Sequence, residues 1–210
     1  MRRCGLLFLV AALCFSPAVL ASAADWTGFY IGGQMMHGWG HTDWKYQLGN
    51  TASHDTRGWA GGPLAGYNYQ FANNIVVGAE TDYSFGKIDG STPCPNPAFS
   101  CTSEVTKLGT TRIRAGYAFG PLMPYVTAGM LYAQAKIATH IAGANFGSDE
   151  NYFGWTAGAG LEYAITDNFI ARVGYAYDDL RRNRSKVDNN LVVINHPKIN
   201  AVKFGVLFKF

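Results

Sequence analysis

Six ionisable residues are the candidates for chemistry in this chain: Glu80, Asp82, Arg112, Arg114, Glu162 and Arg172. Neighbouring carboxylates are what a glycosidase would use, but nothing in the surrounding sequence suggests a substrate cleft, and that reading is rejected. Acids and guanidiniums in equal number suit mutual pairing instead, because a buried charge without a partner is costly. No Ser-His-Asp or Cys-His constellation stands out, and no catalytic residue, metal ligand or cofactor site is assigned. His37, His41, His54, His140 and His196 are scattered along the chain, and metal or haem ligation would require several to converge. Gly158-Ala159-Gly160 is no nucleotide loop, since no helix follows it. The basic run Arg181-Arg182-Asn183-Arg184-Ser185-Lys186 suits a solvated loop tip, with contact to anionic lipopolysaccharide phosphates as the sharper alternative.

The segments that carry these groups alternate with period two, which is the signature of β-strands. Phe29, Ile31 and Met35 oppose Tyr30, Gly32 and Gln34, and Tyr67, Tyr69 and Phe71 oppose Gly66, Asn68 and Gln70. Val77, Ala79, Thr81, Tyr83 and Phe85 oppose Gly78, Glu80, Asp82 and Ser84, while Ile113, Ala115 and Tyr117 oppose Arg112, Arg114 and Gly116. Further segments set Val126, Ala128, Met130 and Tyr132 outward, Trp155 and Leu161 against Thr156 and Glu162, and Val173, Tyr175 and Tyr177 against Arg172, Gly174 and Asp178. The final segment sets Phe204, Val206, Phe208 and Phe210 against Lys203, Gly205, Leu207 and Lys209. Eight such segments imply an all-β, eight-stranded antiparallel up-and-down transmembrane β-barrel, apolar outside and polar inside.

The connections sort by parity. Those at 40–57, 86–106, 138–152 and 179–198 are long; those at 72–74, 120–123 and 166–168 are short. Four long external loops and three short periplasmic turns are the expectation for an outer-membrane barrel. If Thr166-Asp167-Asn168 is a three-residue loop, Glu162 sits opposite Arg172; if Ala72-Asn73-Asn74 is one, Asn68 sits opposite Gly78. An even register between the next two strands would bring Glu80 and Asp82 against Arg112 and Arg114.

The ends of the chain agree. Met1-Arg2-Arg3, the apolar stretch to Leu20 and Ala21-Ser22-Ala23 read as a secretory signal peptide over 1–23, leaving a barrel domain over 24–210. Removing Arg2 and Arg3 from 17 basic residues leaves 15 against 14 acidic, a balance that gives no case for a nucleic-acid partner. Cys4 and Cys14 leave with the leader, and Cys94 and Cys101, in a proline-rich loop of an exported chain, read as a disulfide. The terminal Lys203, Gly205, Phe208 and Phe210 resemble the C-terminal signal read by barrel assembly machinery.

Asp25-Trp26-Thr27-Gly28-Phe29-Tyr30-Ile31-Gly32-Gly33 resembles the mature start of the small "porin family", or outer-membrane immunogenic protein, barrels of Gram-negative bacteria. Gly66-Tyr67-Asn68-Tyr69-Gln70, Gly78-Ala79-Glu80-Thr81-Asp82-Tyr83-Ser84, Pro124-Tyr125-Val126-Thr127-Ala128-Gly129 and the closing Phe204–Phe210 segment extend the resemblance over the mature chain. It implies a surface-exposed outer-membrane barrel, antigenic in some members and haem- or host-ligand-binding in others. The expected function is structural and surface display, with the interior closed by charged side chains. A narrow solute pore and loop-mediated binding of haem, lipopolysaccharide or a host component are the alternatives. Outer-membrane lipid, lipopolysaccharide and the assembly machinery are the expected partners, and an enzyme is not expected.

Overall fold

The computed structural model describes residues 24–46, 51–93, 100–141, 144–180, 183–186 and 192–210. Its strands are β1 (Gly28–Tyr46), β2 (Thr51–Gln70), β3 (Ile75–Pro93), β4 (Ser100–Tyr117), β5 (Leu122–Ile141), β6 (Ala144–Ala164), β7 (Phe169–Leu180), β8 (Asn183–Lys186) and β9 (Val192–Lys209). Each of the first seven pairs antiparallel with the next, β7 pairs with β9, and β9 closes on β1. The wall therefore has eight strands and no free edge. The four-residue β8 pairs with β9 beyond the end of β7. The signal peptide expected over 1–23 lies outside the described residues.

Short turns set the register at one end. Phe71 and Ile75 bracket a three-residue loop, with Phe71 N–H donating to Ile75 O at 2.8 Å and Asn74 N–H to Phe71 O at 2.9 Å. Asn74 adopts φ 65°, which asparagine tolerates better than most residues. Phe119 and Leu122 bracket Gly120-Pro121, a tighter connection than the four residues expected over 120–123. Gly120, at φ 61°, supplies the positive dihedral that the first position of a two-residue hairpin loop demands. Glu162 pairs with Arg172, and Asn68 with Gly78, as the loop lengths required.

The opposite end differs from the sequence expectation. The four long connections are largely strand: β1 runs on to Tyr46 and β2 begins at Thr51, while β5 and β6 pair as far as Ile141 and Ala144. A ladder needs only backbone hydrogen bonds to persist. The apolar alternation that marks a strand in sequence ends where lipid ends, so it understates strand length there.

Alternation decides which side chains face out. Phe29, Ile31, Ile113, Val126, Met130, Phe204 and Val206 are exposed, whereas Tyr30, Glu80, Arg112, Arg114, Glu162 and Arg172 are buried. A soluble protein does not present a continuous apolar girth of this kind. Ile113, 71% exposed and in register with Ala79 and Ala128, sits well away from both rims. Ile113→Arg is expected to destabilise the barrel in phospholipid vesicles by about 2–4 kcal/mol, the penalty for a cation at the bilayer midplane. Urea unfolding monitored by tryptophan fluorescence measures it, and an unchanged midpoint would remove Ile113 from the lipid-facing band.

Candidate functional site

The barrel interior is stacked in three layers. Nearest the short turns lie Trp26, Tyr30, Leu64, Val76, Ala118, Met123, Ile170 and Leu207, all buried in one apolar cluster. Trp26 precedes β1 and is held by its backbone N–H donating to Gln70 Oε1 at 2.9 Å and its indole N–H to Gly120 O at 3.3 Å. Toward the long-strand end, Met36, Ala60, Ile88, Leu108, Leu131, Ala133, Tyr152, Leu180, Ile199 and Ala201 form a second apolar cluster. Every one of the eight wall strands contributes to it.

Between these layers lie the ionisable residues. Glu80 is the hub. Its carboxylate lies 2.7 Å from Arg112 Nη2, 2.6 Å from Arg172 Nη2 and 3.6 Å from Arg114 Nη1, and it accepts the Tyr30 hydroxyl proton at 2.8 Å. Arg112 also donates to Asp82 Oδ2 at 2.6 Å, and Asp82 accepts from the Thr110 hydroxyl. Glu162 Oε1 accepts from Arg172 Nε at 2.7 Å and lies 2.8 Å from Arg114 Nη2. The structure thus brings together Glu80, Asp82, Arg112, Arg114, Glu162 and Arg172. The β3–β4 register responsible places Glu80 beside Arg112 and Gly78 beside Arg114.

Glycines make the room. A Cβ on Gly160 would stand 2.6 Å from the Tyr125 hydroxyl, so the bare backbone of β6 is what admits that ring. The Tyr125 face in turn supports Arg114, whose Cζ lies 4.5 Å from the ring centroid, a cation–π contact inside the barrel.

Three participants were missed as members of this layer. Lys203 and Asp178 are buried, and so is Tyr30. With them, four acids (Glu80, Asp82, Glu162, Asp178) face four bases (Arg112, Arg114, Arg172, Lys203) among the described buried residues. Alternation had already put all three on the inner face; only spatial convergence shows that they share one layer. Lys203 Nζ, both Asp178 carboxylate oxygens and the Gln34 amide make no hydrogen bond within the described protein. A cavity of about 10 Å³ bounded by Gln34, Glu80, Arg112, Thr127 and Lys203 adjoins the first and last of these, room for about one water.

Of the C-terminal residues, Lys203 is buried while Phe208 and Phe210 point outward. A Cβ on Gly205 would meet Gln34 Cβ at 3.6 Å and Arg172 Cβ at 3.9 Å, so this position faces in. Cys94 of the proposed Cys94–Cys101 disulfide lies outside the described residues, as do Arg181, Arg182 and the side chains of Cys101, Asn183–Lys186, His41, His54, His140 and His196. His37 packs at a tilt against Trp59, 4.7 Å between ring centroids. Among the described residues no group of three or more His, Cys, Asp or Glu is arranged to hold a metal.

A closed antiparallel β-barrel has counterparts among known proteins. Residues 6–210 match the outer membrane protein beta-barrel domain family. The chain belongs to that family. The 31 kDa outer-membrane immunogenic protein of Brucella melitensis is 35% identical over 205 residues, covering 89% of this chain and 84% of its own length. The 22 kDa outer membrane protein of Rhizobium leguminosarum bv. viciae is 30% identical over 196 residues, covering 92% and 82%. Among solved structures, Neisserial surface protein A aligns at TM-score 0.46 and 20% identity, over 88% of this chain and 98% of that one, a likeness too loose to argue from. This member of the outer-membrane barrel family accordingly resides in the outer membrane, with its short turns at the periplasmic end.

Proposed function

We propose that this outer-membrane barrel is a structural and surface-display protein whose lumen is shut, and that it is not an enzyme. One observation carries the reading: all eight wall strands place a buried apolar side chain in the outer layer, above the ion-paired layer. Eight-stranded barrels are just wide enough for their own side chains to fill, and a dry apolar layer holds water and ions back more firmly than paired charges alone. The ionisable groups lie beneath that layer, where no substrate reaches them. The immunogenic relatives support a display role for the connections at the outer end. Outer-membrane lipid and lipopolysaccharide are the partners of the wall, and an external ligand would meet the long-strand end. The assembly machinery would read the C-terminal strand, with Lys203, Gly205, Phe208 and Phe210 as its signal.

Recording from the purified barrel in a planar lipid bilayer tests the reading. The expected trace is flat across the voltage range at which porins conduct. Steady, reproducible current steps would replace this function with that of a narrow solute pore.

A further inference from the structure

The periplasmic mouth is covered by a piece of chain that belongs to no strand. Residues 24–27 precede β1 at the short-turn end of the barrel. Gly28 makes the corner at φ 141°, a dihedral that residues with a Cβ rarely adopt. A Cβ there would also stand 3.0 Å from the Phe210 carbonyl oxygen, so glycine is what lets the segment leave the wall. Its anchors are spread over that end. Trp26 bonds Gln70, the last residue of β2, and Gly120 in the turn between β4 and β5. Thr27 Oγ1 accepts from Gln70 N–H at 3.1 Å, and Lys209, the last residue of β9, donates its ammonium to the Asp25 carbonyl. Each of these bonds uses a side chain on at least one side, and none is a rung of a ladder.

The outer apolar layer is built differently. Met36 sits on a strand paired with Ala60 on one side and Lys203 on the other, and Leu131 is flanked by Thr110 and Gly154. Moving either out of the lumen means opening two ladders. Trp26 has only to swing about Gly28, giving up two hydrogen bonds and its burial. Segments held by so few backbone bonds open at lower free energy than the ladders around them. What lies beneath is the route to the charges. Trp26 shares its buried cluster with Tyr30 and Val76, and the Tyr30 hydroxyl donates to Glu80 at 2.8 Å. Indole, phenol and carboxylate thus form one contiguous path from the mouth to the hub of the ion-paired layer.

We propose that residues 24–27 form a lid hinged at Gly28, which opens while the barrel stays folded and admits periplasmic water to Tyr30 and Glu80. The lumen is then a chamber closed permanently at its outer end and reversibly at its inner one. The lid is independent of the outer seal: a leak through the outer layer would leave it standing, and its opening leaves the outer layer shut.

The test uses the full barrel in detergent micelles, with Cys94 and Cys101 replaced by serine and folding judged by heat-modifiable gel migration. One reporter, Val76→Cys, lies in the lid cluster; the other, Thr156→Cys, lies under the outer layer. Each is labelled with a water-soluble maleimide. Val76→Cys is expected to label at least about tenfold faster than Thr156→Cys, at a rate nearly independent of urea below the unfolding transition, the mark of a local opening. Trp26→Ala should raise the Val76→Cys rate about tenfold further and leave Thr156→Cys slow. Trp26→Phe keeps a ring in the cluster but loses the indole donor, and should fall between parent and alanine. Val76→Cys as slow as Thr156→Cys would mean that the lid does not open. A Val76→Cys rate that Trp26→Ala leaves unchanged would mean that the segment seals nothing. Either result overturns the proposal, and the first comparison holds even where Trp26→Ala fails to fold.

Discussion

Glu80→Leu is expected to cost about 3–5 kcal/mol of barrel stability, the range seen when one member of a buried ion pair is removed and its partners stay charged. Glu80 meets Arg112, Arg172 and Arg114 and accepts from Tyr30, so a single replacement leaves three guanidiniums short of counter-charge. Arg112 retains Asp82, and Arg114 and Arg172 retain Glu162, which keeps the loss from being larger. Glu80→Gln should fall between parent and leucine, because the amide oxygen can still accept while the charge is gone. Equilibrium urea unfolding in vesicles measures all three proteins. A leucine variant within about 1 kcal/mol of the parent would mean that the arginines find water instead, and that the layer is wet.

The second large effect concerns access rather than stability. Thr156 is buried just beneath the outer apolar layer. In a background with Cys94 and Cys101 replaced by serine, Thr156→Cys is expected to resist a water-soluble maleimide, since a thiol shielded from water is inert. Cutting Met36 and Leu131 to alanine removes two wholly buried members of that layer, and the labelling rate should rise about tenfold or more once water reaches the site. Neutralising the middle layer instead, by Glu80→Gln with Arg112→Gln, should leave the cysteine protected. If the charge variant labels fast and the apolar variant does not, the paired ions rather than the apolar layer keep water out, and the proposed seal is misplaced.

These two effects trace different parts of the interior, and the sequence spoke to them unequally. Glu162 opposite Arg172 was legible because a three-residue turn leaves the register no freedom. Glu80 opposite Arg112 was legible only as a condition on register, because a long connection separates β3 from β4. The apolar layers were not legible. Met36, Ile88, Leu108 and Leu180 stand near or within the expected loops, where an inward apolar residue reads as one more irregularity. Trp26 lies outside any strand, and nothing in its neighbours predicts that it turns in to cover the periplasmic mouth.

Local pattern by itself determined the strand count, the sorting of connections by length and the face on which each ionisable residue lies. All three follow from a period of two and from short turns that fix register without distant information. Tertiary structure alone decided that Lys203, Asp178 and Tyr30 lie in the ionisable layer and that apolar residues from all eight strands meet above it. Those facts depend on barrel closure and strand stagger. Only closure brings the first strand against the last, and no run of neighbouring residues encodes the height at which distant strands meet.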